Sequence, residues 1–551
     1  MEEAKKSDKI EKRKEAIKGW LKNKYNLIFL AILILAIVIY LNNFNLTKKQ
    51  VLWWDEADYL AYAKNLAGFP INWIITEKHN SLYPYLAAAF FKIGLGELGI
   101  KFFLQVIPAI LSAALVYFMS NKMYEDKRIG LITSFLMTTF WVNLFNASRF
   151  HVDIPALFLG LLSIYVFWQG YENKEKIFGK IEAKWAIPLT VFLVILTYTI
   201  RRGYILFGAF FLVHMLASKK FKALIKDKYN WIALGIASVL FFFAEKFIFI
   251  SQISDISGQY FHEEAPINFL PFQVFPAFFD SVTKMPGVLL YLFWIGAVLL
   301  LVNIAFSFGL MKKEGGTRVR ADLFNFLTIV ITLAFFIYVL RSPTNFGEAR
   351  WYLPMAFACF ILIARAATSI TDYIKPYSKH AAIILLCALI AIGGYYEFKQ
   401  GSDSIKGKLD SFQGIKEASI LIKEMSDKED LVLTLGQPQV EYYAERNTLN
   451  ARVWGGKYSS DDVGGHFEST MQKIKENPQV RFIVITFSEP AYPEWAKKNS
   501  GNVWEIPFMQ TKIDFSTGEQ QINQELQYDK YNLKFKLIAV KNEVFIYEIL
   551  R

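Results

Sequence analysis

Three carboxylates stand close together in the stretch VLWWDEADYLAYAKNLAG, directly after a run of almost pure hydrocarbon side chains. Asp55 and Glu56 are adjacent, and Asp58 follows two residues later. A carboxylate placed beside a hydroxyl can remove its proton as a general base. Asp55 could equally cap a helix N-terminus, with Asp58 completing a capping box. The stretch alone leaves both roles open, and they can hold together.

More ionisable residues occur in short segments between apolar runs. Charged groups this near hydrocarbon are costly, so each is a functional candidate. The candidates are Lys78, His79, Arg149, His151, Asp153, Arg201, Arg202, His262, Glu263, Glu264, Arg341, Glu348 and Arg350. Several arginines with acids from the first segment would suit a carboxylate base beside an anionic, phosphate-bearing lipid.

Structural roles for some of these residues stay open. Asp153, with Pro155 two residues on, also fits a helix start. Arg201 and Arg202 fit a helix-end pair that reaches lipid headgroups. Arg350 stands before Trp and Tyr and fits an interfacial anchor. His79, His151 and His262 lack close metal-ligand spacing, so a divalent metal is not indicated, while a site assembled from distant loops stays open.

The composition indicates a membrane protein. The 551 residues are 54% hydrophobic and only 20% charged, which is too apolar for an ordinary soluble protein. The net charge of +12 does not indicate nucleic-acid binding, because the basic residues cluster between apolar segments. The two cysteines, Cys359 and Cys387, both lie in apolar runs, which excludes a disulfide framework.

Eleven apolar stretches approach the roughly 20 helical residues that a bilayer core requires. They lie near residues 26–43, 100–119, 129–146, 153–169, 185–200, 203–217, 230–250, 286–308, 322–341, 351–369 and 380–397. The fifth and sixth also fit one broken pair around Arg201 and Arg202. We expect no cleavable signal, since residues 1–24 are highly charged and the apolar run after them is long enough to span.

The distribution of Lys and Arg predicts the orientation. The N-terminal tail and the loops after the even-numbered stretches are rich in both residues, whereas the opposite loops are poor in them. We therefore expect a multi-pass cell-membrane protein with a cytoplasmic N-terminus and, from eleven spans, an extracytoplasmic C-terminal end. Two long segments, 44–99 and 251–285, and all the candidate residues then fall on the outer side.

After Phe398 the composition becomes polar. FQGIKEASILIKEM predicts a helix, and LVLTL, RFIVITF, KFKLIAV and EVFIYEIL predict strands, the last two joined by a tight turn at Lys541 and Asn542. The predicted organisation is a basic tail (1–25), a transmembrane catalytic domain (26–398) and a soluble α/β domain (399–551).

A basic tail, a first span and then Asp-Glu in a long outer loop resemble the GT-C superfamily of integral membrane glycosyltransferases. Within it the chain resembles the protein O-mannosyltransferase and lipid A aminoarabinose transferase branch. The likeness rests on WWDEADYLAYAKNLA, EKHNSLYPYLAAAFFKIGLGELGIKFF, ASRFHVDIPALFL, ARWYLPMAF and KEDLVLTLGQPQVEYYAERNT. It implies a mostly α polytopic protein of GT-C type with a C-terminal soluble α/β domain.

The sequence departs from the family pattern at three points. Asn80 and Ser81 replace the usual Pro-Pro pair, which weakens a role for Lys78 and His79. The sequence has no Trp-Trp-Asp-Tyr-Gly motif, which argues against an oligosaccharyltransferase. The acids read Asp-Glu-Ala-Asp rather than Asp-x-Asp, so a required divalent metal is not indicated.

The resemblance implies transfer of a sugar from a polyprenyl-phosphate donor to a hydroxyl of a protein, glycan or lipid acceptor. Asp55 would be the base with Glu56 as its helper, and Arg201, Arg202 and Arg350 would hold the phosphate. Attack opposite the leaving group needs a single base and inverts the anomeric carbon.

Two other functional classes remain as alternatives. A transporter or flippase for a lipid-linked or anionic substrate fits the many spans. Against it, the candidates gather on one face rather than at the midplane, and the sequence shows no internal repeat. A non-catalytic protein that presents the outer domain would predict little effect from Asp55→Asn.

Overall fold

The computed structural model describes most of the chain. The described residues are 18–75, 79–219, 221–249, 284–307, 309, 316–336, 348–434, 437–450, 463–486, 498–500, 503–506, 511–514, 517, 523–542 and 544–551. Among the predicted site residues, Lys78, His262 and Glu263 lie outside these ranges, as do Glu264 and Arg341.

The chain divides into two compact units. Residues 1–48 and 97–407 form one, called here the helical unit. Residues 49–96 and 408–551 form the other, called here the α/β unit. The acid-containing segment around Asp55 thus belongs with the C-terminal residues, whereas the division at residue 398 stays a prediction from the sequence.

The described helices of both units are named in chain order. They are α1 (Lys24–Thr47), α2 (Trp54–Ala67), α3 (Leu82–Lys92), α4 (Glu97–Tyr124), α5 (Lys127–Thr139), α6 (Trp141–Ala147), α7 (Asp153–Glu172), α8 (Ala183–Ile200), α9 (Arg202–Ser218), α10 (Phe221–Lys226), α11 (Lys228–Phe249), α12 (Gly287–Ser307), α13 (Thr317–Ala334), α14 (Ala349–Ile374), α15 (Lys379–Lys406), α16 (Gln413–Met425), α17 (Gln437–Ala444) and α18 (Val463–Glu476).

Eight of the described helices are long and apolar enough to cross a membrane, namely α1, α4, α7, α8, α11, α12, α14 and α15. The pair α5 and α6, bent by 52° at Phe140, gives a ninth if it is one span. The prediction of a mostly helical protein with many apolar helices is confirmed. The count of eleven is not confirmed, because α9 is short and α13 falls outside the set.

Charges at the start of α13 explain why this helix differs from the prediction. Arg320 and Asp322 occupy its first turns and are buried. Arg320 Nε donates to Glu172 Oε2 at 2.6 Å, and Asp322 pairs with Arg365. A buried charge must be paired to be tolerated, so these contacts fix α13 against α7 and α14.

Close packing holds the centre of the helical unit. Helix α14 is buried along most of its length. A Cβ atom added to Gly296 would lie 2.1 Å from the backbone oxygen of Leu362, so α12 approaches α14 too closely for any larger residue. Gly160 likewise leaves room for the ring of Phe207, which brings α7 onto α9.

The described strands of the α/β unit are β1 (Leu431–Thr434), β2 (Thr448–Asn450), β3 (Val480–Thr486), β4 (Lys498–Ser500), β5 (Val503–Ile506), β6 (Thr511–Asp514), β7 (Glu525–Tyr528), β8 (Leu533–Lys541) and β9 (Val544–Leu550). Six of them form a sheet in the order β2-β1-β3-β9-β8-β7, in which β1, β2 and β3 run parallel and the other pairs antiparallel. The other three, β4, β5 and β6, form a second sheet.

The four predicted strands and the helix of this region are confirmed as β1, β3, β8, β9 and α16. Asn542 has a φ of 44°, a left-handed conformation that asparagine tolerates, so it suits the predicted turn between β8 and β9. Apolar side chains of α16 and α17 cover one face of the sheet, and α18 covers the other. Val51 packs in the core that α16 and α17 form with the sheet, so the segment before Asp55 is anchored there.

Candidate functional site

The acids near Asp55 lie at the start of α2. Trp53 is the N-cap residue, and its backbone N–H donates to Glu56 Oε2 at 3.1 Å. The capping carboxylate is therefore Glu56, at the third helical position. The interpretation of Asp55 as the cap, completed by Asp58, is wrong, because the helix begins one residue before Asp55. Glu56 is buried, whereas the Asp55 side chain keeps 30% of its surface exposed.

His79 lies between two of these acids. Its Nδ1 is 2.5 Å from Asp58 Oδ2, and its Nε2 is 3.5 Å from Asp55 Oδ1. Trp73 Nε1 donates to the other oxygen of Asp58 at 2.7 Å. Residues three apart on a helix share a face, which is why Asp55 and Asp58 can reach one ring. The sequence predicted both His79 and Asp58 as candidates, with a capping role as the alternative for Asp58, but it did not predict their contact.

The C-terminal part of the α/β unit holds α2 in place. Lys64 Nζ donates to the backbone oxygen of Tyr442 and to Glu445 Oε1, both at 2.9 Å. The backbone N–H of Leu52 donates to the Tyr443 hydroxyl at 3.0 Å. Lys64 is buried, so its charge is neutralised where solvent cannot screen it. The helix that carries Asp55 is thereby fixed to α17.

In the helical unit, Asp153 and Arg201 form a bidentate ion pair. Asp153 is the first residue of α7 and is fully buried. Arg201 Nε and Nη1 each lie 2.9 Å from one of its carboxylate oxygens. The Tyr204 hydroxyl donates to the same carboxylate at 3.3 Å. This geometry holds the guanidinium plane of Arg201 at the break between α8 and α9.

Arg350 makes the second anchored arginine of this unit. Its Nη1 donates to His151 Nδ1 at 2.6 Å, and its Nε lies 2.5 Å from Glu348 Oε2. An arginine stays protonated, so His151 accepts this bond with an unprotonated Nδ1. Gln105 Nε2 donates to the backbone oxygen of His151 at 2.9 Å and fixes the turn before α7.

Two further arginines stand next to these pairs in sequence. Arg149 is almost fully buried, with its guanidinium 5.8 Å from the ring centre of Phe145. Arg202 lies 4.0 Å from the ring centre of Phe249. We call Arg149, Arg201, Arg202 and Arg350 the arginine cluster. The carboxylates described in its ion pairs are Asp153, which pairs with Arg201, and Glu348, which pairs with Arg350.

The structure thus places the predicted residues in two groups. Asp55, Glu56 and His79 lie in the α/β unit, and Arg149, His151, Asp153, Arg201, Arg202 and Arg350 lie in the helical unit. In the ranges that the structure describes, no group of three or more His, Cys, Asp or Glu side chains is arranged to hold a metal ion. The role of each residue stays a prediction.

No family model matches the sequence, and no curated protein does. Solved structures match over most of the chain. The apo oligosaccharyltransferase of Archaeoglobus fulgidus matches with a TM-score of 0.55 and 11% identity, over 83% of this chain and 69% of that one. The same enzyme tethered to an acceptor peptide with the NVT sequon matches with a TM-score of 0.55 and 13% identity, over 93% and 75%.

ArnT from Cupriavidus metallidurans, bound to undecaprenyl phosphate, matches with a TM-score of 0.54 and 11% identity. That match covers 96% of this chain and 98% of ArnT, so it spans nearly the whole of both proteins. Identities this low establish a shared fold rather than a shared activity. The resemblance predicted from the sequence is confirmed at that level: the chain shares its fold with the oligosaccharyltransferase and with ArnT.

Proposed function

We propose that the protein is a membrane glycosyltransferase that moves a sugar from a polyprenyl-phosphate donor to a hydroxyl of a protein, glycan or lipid acceptor. The observation that carries this proposal is the arginine cluster at the ends of apolar helices. A lipid phosphate needs apolar surface for its tail and fixed positive charge for its headgroup. The undecaprenyl phosphate bound by ArnT, which has the same fold, supports this choice of donor.

In this proposal Arg201, Arg202 and Arg350 bind the donor phosphate. The ion pair with Asp153 and the contacts of Arg350 set the orientation of two guanidinium groups before the donor arrives. Preorganised positive charge stabilises the phosphate as it leaves with the electron pair of the sugar–oxygen bond. The leaving group then needs no additional acid.

Proton removal is assigned to Asp55. As the acceptor oxygen bonds to the anomeric carbon, its O–H bond breaks and the proton passes to the Asp55 carboxylate. Attack from the face opposite the phosphate inverts the anomeric centre. Glu56 helps indirectly, because its bond to the Trp53 N–H fixes the first turn of α2 and so the position of Asp55.

The membrane orientation completes the proposal. Residues 1–25 would lie in the cytoplasm and residues 399–551 outside the cell, with transfer on the outer face. The support is the Lys and Arg content of the loops that follow α4, α7 and α9.

Kinetics with arginine variants test the donor site. Purified protein in detergent is supplied with a polyprenyl-phosphate hexose and a crude extract of outer-surface acceptors. Arg202→Gln and Arg350→Gln should raise the KM for the donor roughly 10- to 100-fold, as expected for a lost charge-assisted hydrogen bond. Arg202→Gln leaves the Asp153–Arg201 pair intact, so its folding should be normal.

Arg128→Gln is the matched control, since Arg128 pairs with Asp126 and Asp372 and has no assigned role in donor binding. It should leave the donor KM unchanged. Wild-type protein that neither binds nor turns over any lipid-phosphate sugar would contradict the proposed function.

A further inference from the structure

Asp58 is a buried carboxylate with both oxygens engaged. Its side chain is 4% exposed, Oδ1 accepts from the indole of Trp73, and Oδ2 faces His79 Nδ1. An indole N–H can only donate, and an ionised carboxylate can only accept. When Asp58 is ionised, the bond between it and His79 is therefore donated by Nδ1 of the imidazole. This charge-assisted bond fixes the plane of the His79 ring.

The other nitrogen of that ring, Nε2, is the one near Asp55. Nε2 of His79 lies at ion-pair distance from Asp55 Oδ1, 3.5 Å away. Two carboxylates on opposite sides of one imidazole favour the doubly protonated ring over the neutral one. Tyr59 packs against the ring at 5.2 Å between ring centres and restricts its rotation.

We propose that Asp58 and His79 form a positioning pair for Asp55: Asp58 holds His79 as an imidazolium, and the imidazolium fixes Asp55 Oδ1 so that Oδ2 is presented to the acceptor hydroxyl. This inference rests on the proposed function for the role of Asp55 as the base and for the identity of the substrate. Neither residue takes a proton from the acceptor. Both act through Asp55, and their effect is to restrict its carboxylate to one orientation.

The restriction matters because the Asp55 side chain is partly exposed and has two equivalent oxygens. A carboxylate free to rotate would present the wrong oxygen, or a hydrated one, for part of the time. Misplacing a reacting group by about 1 Å can cost about a hundredfold in rate. Loss of the positioning pair should therefore lower kcat and leave the KM for the donor unchanged.

Variants of His79 and Asp58 test this prediction kinetically. His79→Ala removes the ring and should lower kcat roughly 10- to 100-fold. His79→Gln keeps an N–H donor that can face Asp55, so it should recover part of the lost rate. Asp58→Asn keeps the size of the side chain but removes its charge, and its kcat should fall between those of His79→Ala and wild type. Equal, wild-type kcat values in all three variants would overturn the positioning role while leaving the proposed function standing.

The matched control loosens the same segment without touching His79. Asn65 Nδ2 donates to the backbone oxygen of Trp73 at 2.8 Å, so Asn65→Ala weakens the loop that carries the Asp58 partner. It should lower the unfolding temperature as Asp58→Asn does, yet keep kcat close to wild type. If Asn65→Ala lowers kcat as much as Asp58→Asn, the effect is merely structural and the proposal fails.

A spectroscopic measurement separates this inference from the proposed function, because it needs no turnover. The chain has six histidines, so ¹⁵N NMR of the imidazole nitrogens is tractable, with His79→Gln assigning the signal. We expect both nitrogens of His79 to be protonated at neutral pH, with the Nε2 signal shifted in Asp55→Asn and the doubly protonated form lost in Asp58→Asn. A neutral ring with one unprotonated nitrogen in the wild type would overturn the proposal even if transfer is observed.

Discussion

Glu441, in the α/β unit, is a buried carboxyl group whose pKa can be tested by measuring protein stability against pH. Burial raises its pKa from the ordinary value of 4.5 to about 7, even though the backbone N–H and the hydroxyl of Thr448 donate to it. Above its unfolded pKa the unfolded state loses a proton that the folded state keeps. Stability therefore falls as the pH rises from about 4.5 to 7, and levels off above that.

Glu441→Gln should remove this dependence. The glutamine oxygen can accept the same bonds from Thr448, and no charge has to be buried. We expect the variant to be more stable than wild type at pH 8 by a few kcal/mol, since one pKa unit corresponds to about 1.4 kcal/mol, and close to it at about pH 4, below the unfolded pKa. Glu424→Gln, at an exposed site on α16, is the control and should follow the wild type at both pH values in thermal unfolding.

Some features of the site residues could be predicted from the sequence, and others could not. Asp55 and Glu56 were recognisable because they follow an apolar run in a stretch that resembles a known family. The cap was misassigned because a shift of one residue in the helix start moves the capping role from one acid to the next. Asp58 and His79 are 21 residues apart in sequence, and no local pattern predicts their contact.

At the scale of elements, the notable feature is that α2 and α17 are joined although they are far apart in sequence. Lys64 and Glu445 are 381 residues apart, and neither periodicity nor propensity predicts such a contact. The helices and strands themselves follow from apolar patterning, which is why β1, β3, β8, β9 and α16 were predicted. What the pattern omits is which element packs on which.

Lys64→Met tests whether that junction holds α2. The change removes two hydrogen bonds from a buried cation and should lower the free energy of unfolding of the α/β unit by about 1 to 3 kcal/mol. It should also speed hydrogen exchange at residues 54–67. Because Asp55 belongs to this helix, the rate of sugar transfer should fall as well.

Lys423→Met provides the comparison, since Lys423 pairs with the other oxygen of Glu445 from a more exposed position. A surface ion pair contributes about 1 kcal/mol or less, so this variant should keep the exchange rates of α2 near those of wild type. Equal effects of the two variants would show that the junction does not depend on the buried contact of Lys64.

For the whole molecule, composition and apolar runs were enough to predict a mostly helical protein with many apolar helices. The predicted number of spans is not confirmed. The charged residues in the buried ion pairs of α13 lower its mean hydropathy, and α5 and α6 are bent at Phe140. The arginine pairs with Asp153 and His151 join turns from separate helices, and their pairing emerges only from the assembled unit.

The orientation of the whole chain can be tested by cysteine labelling. Only Cys359 and Cys387 need replacement to give a background without cysteine. In that background, Lys530→Cys, at an exposed position of the α/β unit, should react with a membrane-impermeant maleimide in intact cells. Lys180→Cys, exposed between α7 and α8, should react only after lysis. The opposite pattern would show that the topology is inverted.

The reaction proposed for the whole molecule is the transfer of a sugar from a lipid phosphate with Asp55 as the base. Its most direct measurement is the release of polyprenyl phosphate, followed by mass spectrometry together with the sugar gained by the acceptor, in wild type, Asp55→Asn and the exposed control Asp427→Asn. We predict one polyprenyl phosphate released per sugar transferred, with the rate reduced roughly 10²- to 10⁴-fold in Asp55→Asn, the range expected for loss of a general base, and unchanged in Asp427→Asn. Transfer by Asp55→Asn at the wild-type rate would contradict this proposal.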